Sequence, residues 1–378
     1  METLTGISQT IPISQNTVQK IFDAFYASDE KAQTQVRKYQ KTERRGFSSI
    51  VQHKSYDVHL ADDTSYILLI SSSPDEIVAS APVLCTPLSV YQSLLNLLSE
   101  NTSIPHPTVL SHSDTRDIIP AEYLILSCPP GTPLSDLRHA GRLSDRQNML
   151  IDLEIGRWMR EMHERVQNEW FGPPTAQRAP PVGAPFALPS VFGGGGAEEE
   201  PSYSWQETFT ALLEELLACA EHAGLAPGVS FADVRLCLGR AIGSFLFDDC
   251  EVPSLVSFVG DPGGVLIELS AESAEPRITS LLLPVYALYG DPLLETFFVA
   301  GNDGSAAPSQ ALLEGYGGSP ILFARHKTKR VWYDAFLCLS VLVSCGQVSD
   351  NEEQQSKIQW SQKRLLECAE LLKDAPCY

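Results

Sequence analysis

The sequence predicts an α+β protein with two lobes: a small lobe built on a mixed sheet and a larger, mostly helical lobe. Strand-like segments are concentrated before residue 130, whereas helical periodicity dominates after residue 145. The chain has 378 residues, more than one small core needs. We therefore assign residues 1–130 to the small lobe with its leading helix, and residues 131–378 to the helical lobe.

The small lobe begins with polar sequence that we expect to be helical through residue 45. Its clearest helix is SQNTVQKIFDAFYAS (14–28), in which apolar side chains recur at helical spacing. Residues 55–75 predict a hairpin, because YDVHL and YILLI flank an Asp-rich turn. One further helix and two strands complete the lobe, at 88–101, 104–110 and 121–128.

The second lobe begins with a long amphipathic helix at 146–166. A segment dense in Pro and Gly follows at 172–202 and predicts a long surface loop. A strand, a glycine turn and a second strand are expected over 253–269, followed by a further segment at 275–298. The remaining segments predict helices, at 205–224, 231–247, 331–344 and 352–373.

The charge of the chain excludes some classes of partner. The formal net charge is −20, whereas nucleic acids and anionic membranes attract cationic surfaces, so we expect neither as a main partner. The basic run VRKYQKTERR (36–45) is a local exception, interpreted as a solvated helix end or loop. The apolar run FLCLSVLVSC (336–345) is about half the length of a membrane span.

The nine cysteines lack CxxC spacing, which predicts neither a disulfide framework nor a zinc site. The first ten residues, METLTGISQT, contain no apolar signal-peptide core. These features favour a cytoplasmic protein, and we expect no bound metal.

Several strings, in this order, carry a resemblance to a known family. They are YILLISSSPD, EYLILSCPPGTPLSDL, NEWFGPP, PSLVSFVGDPGGVLIEL and RITSLLLPVYALYGDPLLETFF. In order and spacing the chain resembles the aminoglycoside phosphotransferase / choline kinase-like family, in particular its fungal branch. The resemblance implies a two-lobed, protein-kinase-like fold.

The family's chemistry needs charged and metal-binding groups. A cation on a small-lobe strand contacts the nucleotide phosphates, and a helix Glu orients it. A catalytic-loop Asp accepts the proton of the attacking hydroxyl, while an Asn in that loop and an Asp after the next strand hold magnesium. The resemblance therefore implies five specific polar positions.

This chain departs from the family at the loop positions. The loop aligns without a gap over LVSFVGDPGGVLI, which places the family's His on Ser257, its catalytic Asp on Val259 and its magnesium-binding Asn on Gly264. The second magnesium-binding Asp falls on Leu283, and the acidic residue two places later falls on Val285. The resemblance thus implies a degenerate member without the kinase residues.

The small lobe departs in the same way. The phosphate-binding Lys would fall on Leu69, and no Lys or Arg lies between Lys54 and Arg116. No acidic residue lies between Glu76 and Glu100, so the helix Glu is missing as well. Triphosphate and magnesium would be poorly solvated among apolar replacements, whereas an uncharged ligand would suit them.

We therefore expect a non-phosphorylating protein that binds a hydrophobic small molecule, without a cofactor, at the former ATP and substrate site. As an enzyme of fungal specialised metabolism it would be a cyclase or isomerase, for example a Diels–Alder-type pericyclase, that works by orienting its substrate. The candidate donors to a substrate carbonyl are Ser257, Asp261 and Tyr286. The candidate substrate-binding residues are Leu69, Phe258, Val259, Gly264, Leu283, Val285, Tyr289, Trp332 and Tyr333.

Other interpretations stay open at this point. Core packing is the alternative for the aromatic candidates, and Asp291 is expected to cap or brace the segment after it. The whole chain could instead be a pseudokinase, a binding or regulatory module with a protein partner. A residual small-molecule kinase with relocated groups, such as Asp261, is the third hypothesis.

Overall fold

The computed structural model describes residues 13–27, 35–42, 53–71, 86–174, 202–256, 262–269, 275–282, 287–295, 308–346 and 352–376. These residues form an α+β fold, as the sequence predicts, divided into two compact units. One unit holds the first helix and a five-stranded sheet, and the other holds the remaining elements. The predicted division at residues 130 and 131 stays a prediction.

The first unit is a helix packed on a sheet. Its elements are α1 (Gln15–Phe25), β1 (Val36–Lys41), β2 (Lys54–Leu60), β3 (Ser65–Ile70), β4 (Val109–Ser113) and β5 (Tyr123–Ser127). The strand order is β1-β2-β3-β5-β4, and every described pairing is antiparallel, so the predicted mixed sheet is corrected to an antiparallel one. Ser14 caps α1, and its apolar side, with Val18 and Phe22, packs on the sheet.

β1 corrects the expectation that the chain is helical through residue 45 and that its basic run is a helix end or loop. Residues 36–41 of that run form a strand, paired with β2. Most of its side chains are exposed and polar, so the segment lacks the apolar alternation by which strands are identified. A second correction concerns the strand expected at 104–110, which begins only at Val109, after the prolines at 105 and 107.

The second unit is mostly helical. Its helices are α2 (Leu88–Asn101), α3 (Leu134–His139), α4 (Asp145–Arg165), α5 (Trp205–His222), α6 (Phe231–Gly243), α7 (Gln310–Tyr316), α8 (Ala324–Cys345) and α9 (Glu352–Lys373). Its strands are β6 (Thr132–Pro133), β7 (Ser254–Val256), β8 (Val265–Glu268), β9 (Arg277–Leu281) and β10 (Leu288–Gly290). Most of the predicted loop at 172–202 lies outside the described residues.

Helix ends in this unit follow their local sequence. Ser144 caps α4 in a reciprocal capping box with Gln147, and Ser204 caps α5. The predicted glycine at the end of α5 is confirmed, because Gly224 follows the last turn at a φ of +63°. The largest core cluster is built on α5, α6, α8 and α9, and α8 is buried over most of its length.

The contact between α4 and α7 depends on two glycines. A Cβ on Gly156 would overlap the carbonyl oxygen of Leu312, and a Cβ on Gly315 would overlap that of Leu153. The two helices therefore touch backbone to backbone. The Ser309 hydroxyl, which caps α7, also donates to Asp152 at 2.7 Å, so this short helix is held at its first turn as well.

Candidate functional site

Four short strands of the second unit frame the loop that the sequence singles out. β7 precedes the loop and pairs with β10, while β8 follows the loop and pairs with β9. Pro262–Gly264 form one turn of 3-10 helix before β8. Where the β8–β9 pairing ends, the backbone nitrogen of Leu282 donates to the carbonyl oxygen of Gly264 at 2.7 Å. We call these four strands and the turn the loop frame.

The turn of the loop frame includes one of the two positions that correspond to the family's magnesium ligands. Gly264 stands at one of them, and the other, Leu283, follows directly after Leu282 in the chain. Glycine offers no ligand atom on a side chain, and leucine offers only carbon. A divalent cation prefers carboxylate, amide or water oxygens. The residues at these positions therefore do not fit a magnesium-nucleotide site.

Five of the predicted site residues are described, and the structure places them in different parts of the molecule. Leu69 lies in β3 of the first unit, whereas Gly264, Tyr289, Trp332 and Tyr333 belong to the second. The other seven candidates lie outside the described residues: Ser257, Phe258, Val259, Asp261, Leu283, Val285 and Tyr286. The joint site formed by these residues stays a prediction.

Leu69 occupies a central strand of the five-stranded sheet. Its neighbours Leu68 and Ile70 pack in the cluster under α1, so alternation directs Leu69 to the opposite face. There it pairs across the strands with Leu124, and both side chains are buried. The position that corresponds to the family's phosphate-binding lysine is therefore apolar and lies beside another apolar side chain.

Tyr289 anchors the loop frame through its backbone. Its amide nitrogen donates to the carbonyl oxygen of Gly172 at 2.8 Å, and Gly172 donates back to Tyr289 at 2.9 Å. The side chain is buried, which raises the pKa of its phenol. Trp332 and Tyr333 are also fully buried, in the large core of the helical unit.

The start of β7 and the end of β10 form the base of the frame, and a Gly-Asp-Pro sequence lies there. Only glycine fits at position 290, because the Trp205 ring lies against it and a Cβ there would be 2.6 Å from that ring. The Asp291 carboxylate accepts from the backbone nitrogen of Leu293 at 2.9 Å and from the hydroxyl of Tyr333 at 2.8 Å. The expectation that Asp291 caps the following segment is confirmed.

The charge of Asp291 is balanced by Lys329, a buried residue of α8. The Lys329 ammonium contacts Asp291 and also donates to Asp249 at 2.6 Å. Burial lowers the pKa of Lys329, but the two carboxylates outweigh it, so its pKa lies above the ordinary value. Burial, together with Asp291, likewise holds the pKa of Tyr333 well above its usual range. At neutral pH Lys329 is therefore a protonated ammonium and Tyr333 a neutral phenol, so neither is a nucleophile and the cluster acts as a brace.

A second buried polar chain lies beside this base. His163 of α4 contacts Glu295 at 3.3 Å through one ring nitrogen and the Tyr316 hydroxyl at 2.8 Å through the other. Burial, followed by the nearby carboxylates, raises the pKa of Tyr316. Tyr316 and His163 also line an open cavity of about 270 Å³ with Arg160 and other residues. The chain ties α4, α7 and the segment after β10 together.

The sequence did not identify the partners in these two clusters. Lys329 and Glu295 lie far along the chain from several of their contacts, so no local pattern indicates the pairs. The signal that could have found Lys329 is its place inside the buried stretch of α8, where an unpaired charge would be costly.

The described residues contain no group of three or more His, Cys, Asp or Glu side chains arranged to hold a metal ion. Seven cysteines are described, and all are free thiols. Among the helices that the structure describes, none is long and apolar enough to cross a membrane.

Known proteins resemble this chain in structure and not in sequence. No family model matches the sequence, and no curated protein matches it. Solved structures do match. A provisionally assigned aminoglycoside phosphotransferase of Ralstonia eutropha superposes with a TM-score of 0.58 at 11% identity, over 97% of this chain and 100% of the other.

Two further structures give the same result. A provisionally assigned fructosamine-3-kinase of Haemophilus somnus has a TM-score of 0.55 at 10% identity, over 92% of this chain and 96% of its own. The GDP and kanamycin complex of APH(2")-IIia has a TM-score of 0.54 at 13% identity, over 91% and 98%. At such identities the similarity shows the fold alone, which is the aminoglycoside phosphotransferase-like, protein-kinase-like fold.

Proposed function

We propose, from the aminoglycoside phosphotransferase-like fold, that this chain does not transfer phosphoryl groups and instead binds an uncharged, apolar small molecule beside the loop frame. The observation that carries the proposal is the hydrogen bond between Leu282 and Gly264. It fixes the backbone beside Gly264, whose side chain is a hydrogen atom, and the sequence has an isobutyl group at the other metal position, Leu283. The chain thus keeps the frame without the ligands.

Electrostatics supports this reading over a residual kinase. Phosphoryl transfer gathers several negative charges, which metal ions and cationic side chains must compensate. At the positions where the family places these groups, the sequence has Leu69, Val259, Gly264 and Leu283. The three similar structures are named as kinases or phosphotransferases. Their sequences are at most 13% identical to this chain, too distant to transfer that activity.

We further propose that this protein is an enzyme of fungal specialised metabolism, located in the cytoplasm. An apolar site can accelerate a cyclisation by holding a flexible substrate in a folded conformation, and this requires no cofactor. Ser257, Tyr286 or Asp261 would polarise a carbonyl group of that substrate. A module that binds the same class of molecule, or a protein, without turnover is the alternative.

The first test is calorimetric titration of the full chain with ATP, with and without magnesium. We expect no magnesium-dependent binding, because the ligand side chains are missing. Magnesium-dependent binding by the wild-type chain at micromolar concentration would contradict the proposal and favour a residual kinase. The single-turnover transfer of labelled phosphate to water provides a second readout of the same question.

A restored variant makes this test sharper. Gly264→Asn together with Leu283→Asp returns both types of metal ligand, and the 3-10 turn at Gly264 has backbone angles that asparagine can adopt. We expect a magnesium-dependent rise in the melting temperature with ATP in this variant. Gly264→Ala with Leu283→Val is the matched control, which changes the same positions without adding a ligand and should show no rise.

A further inference from the structure

The hairpin of β8 and β9 presents one face with an unusual composition. Leu266 lies directly opposite Ser280, so their side chains share a face. Leu282 lies two residues after Ser280 and joins the same face by strand alternation, next to Gly264. We call Gly264, Leu266, Ser280 and Leu282 the hairpin face. Three of its four members have no polar side chain.

Ser280 is the exception on this face, and its hydroxyl is unpaired. The residue is 0% exposed, and its Oγ has no hydrogen-bond partner in the part of the chain that the structure describes. Four other buried hydroxyls, of Ser135, Thr210, Ser344 and Ser361, also lack a partner, but none of them belongs to the loop frame. The Ser340 hydroxyl, 1% exposed in α8, is paired: it donates to the carbonyl oxygen of Phe336 at 2.8 Å. The neighbouring Thr279 donates to Leu266 at 3.2 Å. A buried polar group without a partner needs an explanation, and a ligand is one.

We propose that Ser280 is the hydrogen-bond donor for a carbonyl oxygen of the ligand, which makes the ligand an apolar molecule with a ketone, aldehyde or ester group. This inference rests on the proposed function, since it assumes an uncharged ligand beside the loop frame. The hydroxyl would orient the ligand, while Leu266 and Leu282 would contact its hydrocarbon part.

The composition of the face selects this chemistry. Leu266 and Leu282 are 7% and 6% exposed, so a charged ligand would lose its hydration against carbon atoms and gain one neutral hydrogen bond in return. A pure hydrocarbon would leave the Ser280 hydroxyl unpaired. A carbonyl group satisfies the hydroxyl and carries no charge.

The same hydroxyl explains how a covered face can accept a ligand. The hairpin face is buried in the ligand-free chain, so binding requires its cover to open. Opening returns water to the unpaired hydroxyl, which favours exposure of this face relative to a fully apolar one. The ligand then replaces that water with its carbonyl oxygen.

The first part of the experiment compares two serines. Ser280→Ala removes a hydroxyl without a partner, and we expect the melting temperature of the ligand-free chain to stay the same or rise. Ser340→Ala removes a paired hydroxyl at similar burial and should lower the melting temperature. A lower melting temperature for Ser280→Ala than for Ser340→Ala would show that Ser280 has a structural partner, and would overturn the proposal.

The second part uses two probes that differ by one carbonyl group, 1-tetralone and tetralin. For each protein we compare the dissociation constant for tetralin with that for tetralone. We expect this ratio to be about fivefold larger in the wild-type chain than in Ser280→Ala. Ser340→Ala should keep the wild-type ratio. An equal ratio in wild type and Ser280→Ala, or no millimolar binding of either probe, would overturn the assignment of Ser280.

The two proposals fail separately. Magnesium-dependent ATP binding by the wild-type chain would remove the proposed function, and with it the premise of this inference. If the chain does not bind ATP and binds both probes equally well with and without the Ser280 hydroxyl, the apolar ligand site stands, but Ser280 is not its donor. Tetralone binding that depends on Ser280 and is not displaced by magnesium ATP supports both.

Discussion

The two ends of the loop frame differ in chemistry: the base is built on β7 and β10, and the loop end on β8 and β9. At the base, Asp291 is bonded to a backbone nitrogen, a tyrosine hydroxyl and the ammonium of Lys329, which also contacts Asp249. At the loop end, the backbone nitrogen of Leu282 donates to the carbonyl oxygen of Gly264, and neither residue has a polar side chain. Paired charges therefore hold the base, whereas these two described residues of the loop end contribute only backbone groups.

This difference separates the fold from the chemistry. The base is buried and its groups satisfy one another, so its polar residues hold strands and helices in place. Gly264, a position where we propose that a magnesium ligand has been lost, belongs to the other end and takes no part in the brace. A chain can therefore lose phosphoryl transfer and keep the kinase fold, as long as substitutions stay at the loop end.

The largest effect is expected from breaking the base. Lys329→Met removes the cation that contacts Asp291, which is 5% exposed, whereas Asp249 keeps its 3.5 Å contact with Arg325. Removing one partner of a buried ion pair costs about 3–5 kcal/mol, so we expect the free energy of unfolding to fall by that amount. Urea unfolding followed by tryptophan fluorescence measures it.

The double variant Lys329→Met/Asp291→Asn is the control for this effect. It removes the uncompensated charge of Asp291, and it should recover part of the stability that Lys329→Met loses. If Lys329→Met changes the free energy of unfolding by less than about 1 kcal/mol, the base is not a brace and the contrast with the loop end fails.

A smaller effect is expected from the packing at the base. Gly290→Ala would put a methyl group 2.6 Å from the Trp205 ring, and overpacking of this kind costs typically about 1–3 kcal/mol. Gly239→Ala is the matched control, because it lies exposed in α6 with nothing within 4 Å of a new Cβ. There alanine should stabilise the helix by up to about 1 kcal/mol. Thermal unfolding of both variants should show shifts of opposite sign.

Glu215 of α5 sharpens the comparison, because it is a buried carboxyl without the partners that Asp291 has. Neither of its oxygens has a hydrogen-bond partner within the described segments, and burial raises its pKa to about 7. The unfolded chain loses this proton near the ordinary value, so stability falls as the pH rises from about 4.5 to about 7 and stays low above. We expect Glu215→Gln to raise the free energy of unfolding by about 1–3 kcal/mol at pH 8.

At pH 4 the same substitution should have almost no effect, since the carboxyl is protonated in both states. Glu214→Gln is the control, because the Glu214 carboxylate is partly exposed and contacts Arg235 at 2.5 Å. Removing its charge should not stabilise the chain at pH 8. Unfolding curves measured across this pH range test both. An equal gain for Glu215→Gln at pH 4 and pH 8 would show that ionisation of Glu215 is not the cause.

Elements with a strong periodic pattern were predictable from the sequence. The helices at 88–101 and 352–373 have the predicted bounds, because their apolar residues recur over several turns. β1 was missed because an edge strand with exposed, charged side chains has no apolar alternation, and only its pairing with β2 reveals it. Local pattern thus predicts elements that bury a whole face and fails for those that bury little.

The candidate site was predictable to a different extent. The loop alignment indicated the missing polar groups at Gly264 and Leu283 from sequence alone. The contact of Lys329 with Asp291 and the unpaired hydroxyl of Ser280 depend on which elements meet in space, so spacing along the chain does not indicate them. Trp332 and Tyr333 were candidate ligand contacts, with core packing as the alternative, and the structure places both in the core.

β1 has a further consequence for how the chain behaves at high concentration. Among the described strands it lies at one edge of the sheet, where unpaired backbone groups invite another strand and lead to aggregation. Gln15 and Gln19 of α1 occupy the backbone groups of Val36, and Arg37 and Lys38 extend exposed beside them. A second molecule approaching this edge in register would bring like charges together. The charged side chains that obscure the strand pattern of β1 therefore also protect the protein from edge-to-edge fibril growth.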